Sequence, residues 1–176
     1  MKKFRLHLFL VSILSLFVLT LQAQIFNPVK WSYSSKKISD TEAELTLKAT
    51  IESGWHMYSQ FIGNDGPVPT SFKFEKNKNF ELIGKVTEGK PIEQHDVNFD
   101  MDLKFFENVA TFKQKIKINS SSPFTLKGSL EYMVCDNSKC LPPESLDFEI
   151  KVDGASASTP AEKKKTEVKE SGSVVE

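Results

Sequence analysis

The chain has 176 residues, with 23 basic and 23 acidic side chains, 14 phenylalanines and only two cysteines. The balanced charge gives no electrostatic reason to expect nucleic acid as a partner, and the length suits one domain flanked by short terminal segments. The first of these segments reads as a secretory leader. Lys2, Lys3 and Arg5 precede a largely apolar run from Leu8 to Leu21, and Ala23 offers a small residue for cleavage. That run is shorter than the roughly 18–20 residues that span a bilayer as a helix, although an uncleaved N-terminal anchor is the alternative. No cysteine near Ala23 supports a lipid anchor, and nothing later is apolar enough to cross a membrane. Losing residues 1–23 leaves 20 basic against 23 acidic residues. The expected product is a soluble, exported, monomeric protein.

Residues 24–153 form the expected domain, and period-two alternation dominates it. Lys30–Ser34 is a short strand candidate. Leu45, Leu47, Ala49 and Ile51 then share one face against Glu44, Thr46, Lys48 and Thr50. Ser71–Glu75 and Glu81–Val86 follow as short candidates. Ala110, Phe112, Ile116 and Ile118 alternate with Lys113, Lys115 and Lys117, and Phe124, Leu126, Leu130, Tyr132 and Val134 with Thr125, Lys127, Ser129 and Glu131. Leu146, Phe148, Ile150 and Val152 close the series. Turn formers at Ser53-Gly54, Gly63–Pro67, Asn77–Asn79, Ser120–Pro123 and Pro142-Pro143 separate the runs. Seven or more antiparallel strands with one apolar face each predict an all-β, immunoglobulin-like sandwich; a small closed barrel is the alternative. Residues 154–176 lack aromatic side chains and mix Lys163–Lys165 with Glu162, Glu167 and Glu170. They are expected to be a disordered polar tail. Contact of its lysines with anionic lipid is less favoured because of the glutamates.

Cys135 and Cys140 bracket Asp136-Asn137-Ser138-Lys139, four residues rich in turn formers. Hairpin geometry brings such flanking residues within reach of a disulfide. In an exported protein a structural staple is the ordinary reading. Two points favour exchange instead. Closing so short a loop constrains the unfolded chain little. Alternation also places Cys135 with Met133 and Glu131, opposite Tyr132 and Val134, which predicts a position near the surface where a disulfide is labile. A metal site is the third option, but neither His56 nor His95 has ligand spacing to the cysteines. Both histidines are expected to be loop residues bonded to backbone or water. No metal and no organic cofactor are expected.

The segment Val134-Cys135…Cys140-Leu141-Pro142-Pro143, ending an all-β exported domain, resembles the N-terminal periplasmic domain of the thiol:disulfide interchange protein DsbD. Gly54-Trp55-His56-Met57-Tyr58-Ser59-Gln60 is similar to the family's aromatic segment near the active site, and His95-Asp96-Val97-Asn98-Phe99 to its cap loop. The resemblance runs from about Trp31 to Val152. It implies an electron relay in which a membrane-bound thiol reductase supplies a dithiol. The dithiol then reduces periplasmic thioredoxin-fold proteins such as disulfide isomerases and cytochrome c maturation factors. It further implies that Cys140 attacks, Cys135 resolves, Phe99 caps the pair, and Tyr58, Asp96 and Asn98 line the site.

Beside Cys140, Lys139 would favour a thiolate, whereas Asp136 would oppose one at Cys135. Ordinary core packing is the other reading of Phe99. The chain departs from the family in its four-residue spacing between the cysteines, where some members have five. Val97 and Asn98 stand where members can carry acids, which puts a proton-handling role of the loop in doubt. The membrane and thioredoxin modules are also lacking, so a stand-alone version is expected. The alternative from a different class is a non-redox binding or scaffold sandwich with a structural disulfide. Its reduction potential would lie below about −300 mV, and a shuttle's well above.

Overall fold

The computed structural model describes residues 27–63 and 65–155. The leader assigned to residues 1–23 lies outside them, as does all but the start of the tail. Gly154 and Ala155 belong to the described chain, and the Ala155 amide donates to the Ser120 carbonyl at 2.8 Å.

Eleven strands make up the fold: β1 (Val29–Lys37), β2 (Glu42–Ile51), β3 (His56–Tyr58), β4 (Ser71–Phe74), β5 (Phe80–Glu88), β6 (Ile92–Asp96), β7 (Met101–Glu107), β8 (Val109–Ile118), β9 (Phe124–Tyr132), β10 (Val134–Cys135) and β11 (Glu144–Val152). They form three antiparallel sheets, ordered β1-β2-β8-β5, β11-β9-β4 and β10-β3-β7-β6. The first two face each other as an immunoglobulin-like sandwich. Their alternating residues meet in one core: Leu45 and Leu47 from β2, Phe112 and Ile116 from β8, Leu126 and Leu130 from β9, and Phe148 and Ile150 from β11. Aromatic contacts stitch the layers, with Phe72 of β4 4.9 Å from Phe112 and Trp31 of β1 5.5 Å from Tyr132 between ring centroids. Each sheet has free edges, so the barrel alternative does not describe the molecule.

Two inward positions break the apolar rule, each for a local reason. Gln114, 1% exposed, lies between Phe112 and Ile116. There the pairing of β8 with β5 slips, from Ile83↔Lys115 to Thr87↔Lys113. Such a bulge removes ladder bonds and leaves carbonyls to be satisfied. The Gln114 amide donates to the carbonyls of Ile83 at 3.1 Å and Lys115 at 2.7 Å. Gly128 of β9 lies between Phe74 and Phe148, its partners on either side. A Cβ there would come within 2.5 Å of both the Lys73 carbonyl oxygen and the Phe148 ring.

The third sheet was only partly legible. Alternation identifies none of β3, β6 and β7. β6 carries a single apolar residue, Ile92, and is exposed until Asp96. In β7 the adjacent Phe105 and Phe106 are both buried, which erases period two. The run expected to continue from Phe124 to Val134 breaks at Met133 and changes sheets there: Tyr132 pairs with Glu144 of β11, and Val134 with Met57 of β3.

Gly128→Ala is expected to destabilise the domain by about 1–3 kcal/mol, the usual cost of overpacking. A urea midpoint equal to that of the parent would show that the Lys73 backbone and Phe148 have room to withdraw.

Candidate functional site

Three strands of the small sheet, β10, β3 and β7, are buried on both faces, while β6 is its exposed border. Met57, Phe106 and Val134 point into the sandwich core. Their neighbours Tyr58, Phe105 and Cys135 point the other way and join Leu103 in a second apolar cluster. Alternation thus assigned Cys135 to the correct face, but the expected surface position is overturned. Cys135 is 0% exposed, because the segment linking β6 to β7 and the half-buried Met133 and Ile62 cover that face. Strand parity reports the side of a sheet and says nothing about what lies on top of it.

Cys135 and Cys140 form a disulfide with Cα atoms 4.0 Å apart. A tight turn joins them. The Asp136 amide donates to the Lys139 carbonyl at 2.9 Å, and the Leu141 amide to the Val134 carbonyl at 2.9 Å. The Asp136 carboxylate accepts the amides of Ser138 at 2.7 Å and Lys139 at 2.9 Å, so it is engaged within the turn. The Lys139 ammonium lies over Trp55, 5.9 Å from the ring centroid. Cys140, unlike Cys135, is only half-buried.

The cap-loop residues converge on the same cluster. Phe99 is half-buried against it and meets Tyr58 edge-on, with ring centroids 5.9 Å apart and planes at 90°. It contributes to the cysteine cluster and not to the sandwich core. Asp96 ends β6, is 3% exposed and holds the loop's conformation. Its Oδ1 accepts the backbone amides of Asn98 at 2.8 Å and Phe99 at 3.2 Å. Its Oδ2 accepts the Tyr58 hydroxyl at 2.7 Å and lies 3.0 Å from His56 Nε2. Burial alone would raise the Asp96 carboxyl, but the bonds from Tyr58 and the Asn98 amide and the attraction of His56 hold it below the ordinary carboxylate value. Burial, reinforced by Asp96, pushes the Tyr58 phenol well up. Asn98 ties the cap to the disulfide turn, its Nδ2 donating to the Asp136 carbonyl at 2.8 Å.

The structure therefore brings Cys135, Cys140, Phe99, Tyr58, Asp96 and Asn98 together. It also corrects the expectation for both histidines, neither of which is in a loop. His56 is a buried residue of β3, 8% exposed, bonded to side chains and the direct cross-strand partner of Cys135. His95 is on β6, exposed beside Asp100 and Asp102 at 3.3 and 3.6 Å. The cue for His56 was its position two residues before Tyr58, which puts both side chains on one face of a strand. The three-residue strand was too short for that parity to be recognised. A cavity of about 450 Å³ opens beside His56, lined also by Gln94, His95, Val97, Glu107 and Asn137. Among the described residues no cluster of three or more histidine, cysteine or acidic side chains is placed to hold a metal ion.

Curated protein sequences contain no match to the chain. Among solved structures it is similar to the reduced DsbD N-terminal domain of Neisseria meningitidis, at 18% identity and a TM-score of 0.48, covering 70% of this chain and 86% of that one. It is likewise similar to that organism's DsbD N-terminal domain in complex with the PilB N-terminal domain, at 15% identity and a TM-score of 0.47, covering 72% and 87%. The N-terminal periplasmic domain of ScsB from Proteus mirabilis is similar at 16% identity and a TM-score of 0.48, covering 71% of this chain and 45% of that one. The family model for the N-terminal part of the thiol:disulfide interchange protein DsbD matches residues 23–151, which include nearly the whole sandwich with its cysteine turn. The chain thus belongs to the DsbD N-terminal domain family.

Proposed function

We propose that this domain relays electrons in the periplasm, passing them from a membrane-bound thiol reductase to thioredoxin-fold proteins, with disulfide isomerases and cytochrome c maturation factors as the expected class. The observation that carries the reading is the asymmetry of the pair: one sulfur residue is wholly buried under the cap, and the other is half-buried at its edge. In the reduced domain the Cys140 thiolate attacks one sulfur of a partner disulfide. The partner's S–S bond breaks, a mixed disulfide forms, and the partner's second sulfur leaves as a thiolate. Cys135 then attacks the Cys140 sulfur, closing the 135–140 disulfide and releasing the partner's remaining thiol. Two electrons and two protons have passed to the partner, and no organic cofactor takes part. The upstream reductase reverses the same steps to restore the dithiol.

Phe99 serves this chemistry as a removable cover. Its ring packs on Tyr58 beside the cysteines, while its loop is held by hydrogen bonds that an incoming surface can replace. Closed, it keeps small oxidants and unrelated thiols away from Cys140. The residues that precede the domain fit a leader for export, which supports a compartment where disulfides persist.

In periplasmic extract, Cys135→Ala is expected to accumulate mixed disulfides on a non-reducing gel, severalfold more than Cys140→Ala. Equal trapping by the two variants, or more by Cys140→Ala, would reverse the roles. No adduct from either would return the pair to a structural staple.

Phe99→Ala is expected to speed alkylation of the reduced cysteines severalfold. It should cost much less stability than the ~3–5 kcal/mol lost when a core phenylalanine is truncated. Alkylation rate and melting temperature, measured on one preparation, separate a cover from a core residue.

A further inference from the structure

The exchange chemistry needs two sulfurs and a cover, and it leaves His56 without a task. Yet His56 occupies the most constrained position around the pair. It is buried on β3, directly opposite Cys135, with its Nε2 3.0 Å from Asp96 Oδ2 and 3.1 Å from the Tyr58 hydroxyl. Protons in this trio can be counted. The Tyr58 hydroxyl donates its proton to Oδ2 at 2.7 Å, and a carboxylate can only accept. Nε2 therefore carries a hydrogen in either charge state of the ring. A second proton, on Nδ1, converts a neutral donor into a cationic one without rearranging the network. The ring borders the solvent-open cavity beside β6, so that proton has a route in and out.

Asp96 connects this event to the cap. Its far oxygen, Oδ1, holds the amides of Asn98 and Phe99, the residues that set the loop over the cysteines. We infer that His56 is a positioning residue whose protonation strengthens the Asp96 anchor and so tightens the closure of Phe99 over Cys140. This rests on the reading of Phe99 as a cover. The sign follows from linkage: closure favours the imidazolium, so the extra hold is present at low pH and lost as the ring deprotonates. Imidazoles change charge between about pH 5 and 8.

Other ionisable groups face the ring. Tyr58 on its own strand stays a neutral phenol. Glu107, its cross-strand partner on β7, and Asp96 on β6 are the acidic groups that face it. His95 on β6 lines the same cavity and is paired with Asp100 and Asp102. Cys135 and Asp136 lie on the far side, one held in the disulfide and the other in its turn.

The test measures the rate at which a water-soluble phosphine reduces the 135–140 disulfide in the whole protein, from pH 5 to pH 8. In each turnover the phosphine becomes its oxide, taking oxygen from water, and the disulfide becomes two thiols. His56→Gln keeps an N–H donor but cannot titrate, and the ratio of parent to variant rates cancels the reductant's own titration. A charge-assisted bond is stronger than a neutral one by enough to change an opening equilibrium about fivefold. The ratio is expected to be near one at pH 8 and about fivefold lower at pH 5. His95→Gln should keep that step. A flat ratio, or a step lost in His95→Gln, overturns the inference. Phe99→Ala separates the two levels: if it does not accelerate reduction, the cover itself is refuted and the His56 inference falls with it; if it does, a flat ratio refutes His56 alone. In the parent protein the amide protons of Asn98 and Phe99 should titrate with the midpoint of the His56 ring protons by NMR. Independent titration overturns the inference even where His56→Gln fails to fold.

Discussion

One buried negative charge organises the functional end of this molecule. Removing a carboxylate from water is costly unless it is fully hydrogen-bonded or paired, and the contacts around Asp96 meet that demand from three directions. Tyr58 and His56 come up from the β3 floor, and the backbone of residues 98 and 99 folds back from the loop itself. Because one group serves both, the loop cannot lift freely while the floor keeps its hold on Asp96. The position of Phe99 is thereby fixed relative to the cysteines by polar geometry, with the apolar contact to Tyr58 added on top.

This arrangement depends on a sheet with two dry faces. Immunoglobulin-like sandwiches commonly cover one face of each sheet and leave the other wet. Here three short strands, β10, β3 and β7, turn one face to the main core and the other to a second cluster built around the cysteines, and β6 forms the exposed border. The redox pair is therefore outside the body that holds the fold together. Leu45, Phe112, Leu126 and Phe148 pack in a cluster that contains neither cysteine.

The long strands were readable because each has one buried and one exposed face, so apolar and polar residues alternate cleanly along β2, β8, β9 and β11. The gaps in that alternation, Gln114 and Gly128, answer to a bulge and a close approach, neither of which has a sequence period. The functional sheet escaped the same method for the reason it is useful: two buried faces and short strands abolish the period in β3 and β7. The cysteine pair was legible from its turn-rich spacing, whereas Phe99, Tyr58, Asp96 and Asn98 were accessible only through resemblance. The resemblance did not point to His56, whose importance lies in a hydrogen bond across 40 positions of sequence. Val97 and Asn98 stand where members can carry acids, and the buried acid of this loop is Asp96.

The bulge in β5 has a second consequence, at the level of self-association. β5 is the outer strand of its sheet, and an unpaired outer strand is a template onto which another chain can add. The slip between Ile83 and Thr87, with Gly84 at a φ of 69°, twists the strand away from a straight ladder. Two other outer strands are guarded by different means: β4 is four residues long, and β6 is almost wholly polar. Gln114, by satisfying the carbonyl the bulge leaves open, lets this border stay irregular without an orphaned acceptor.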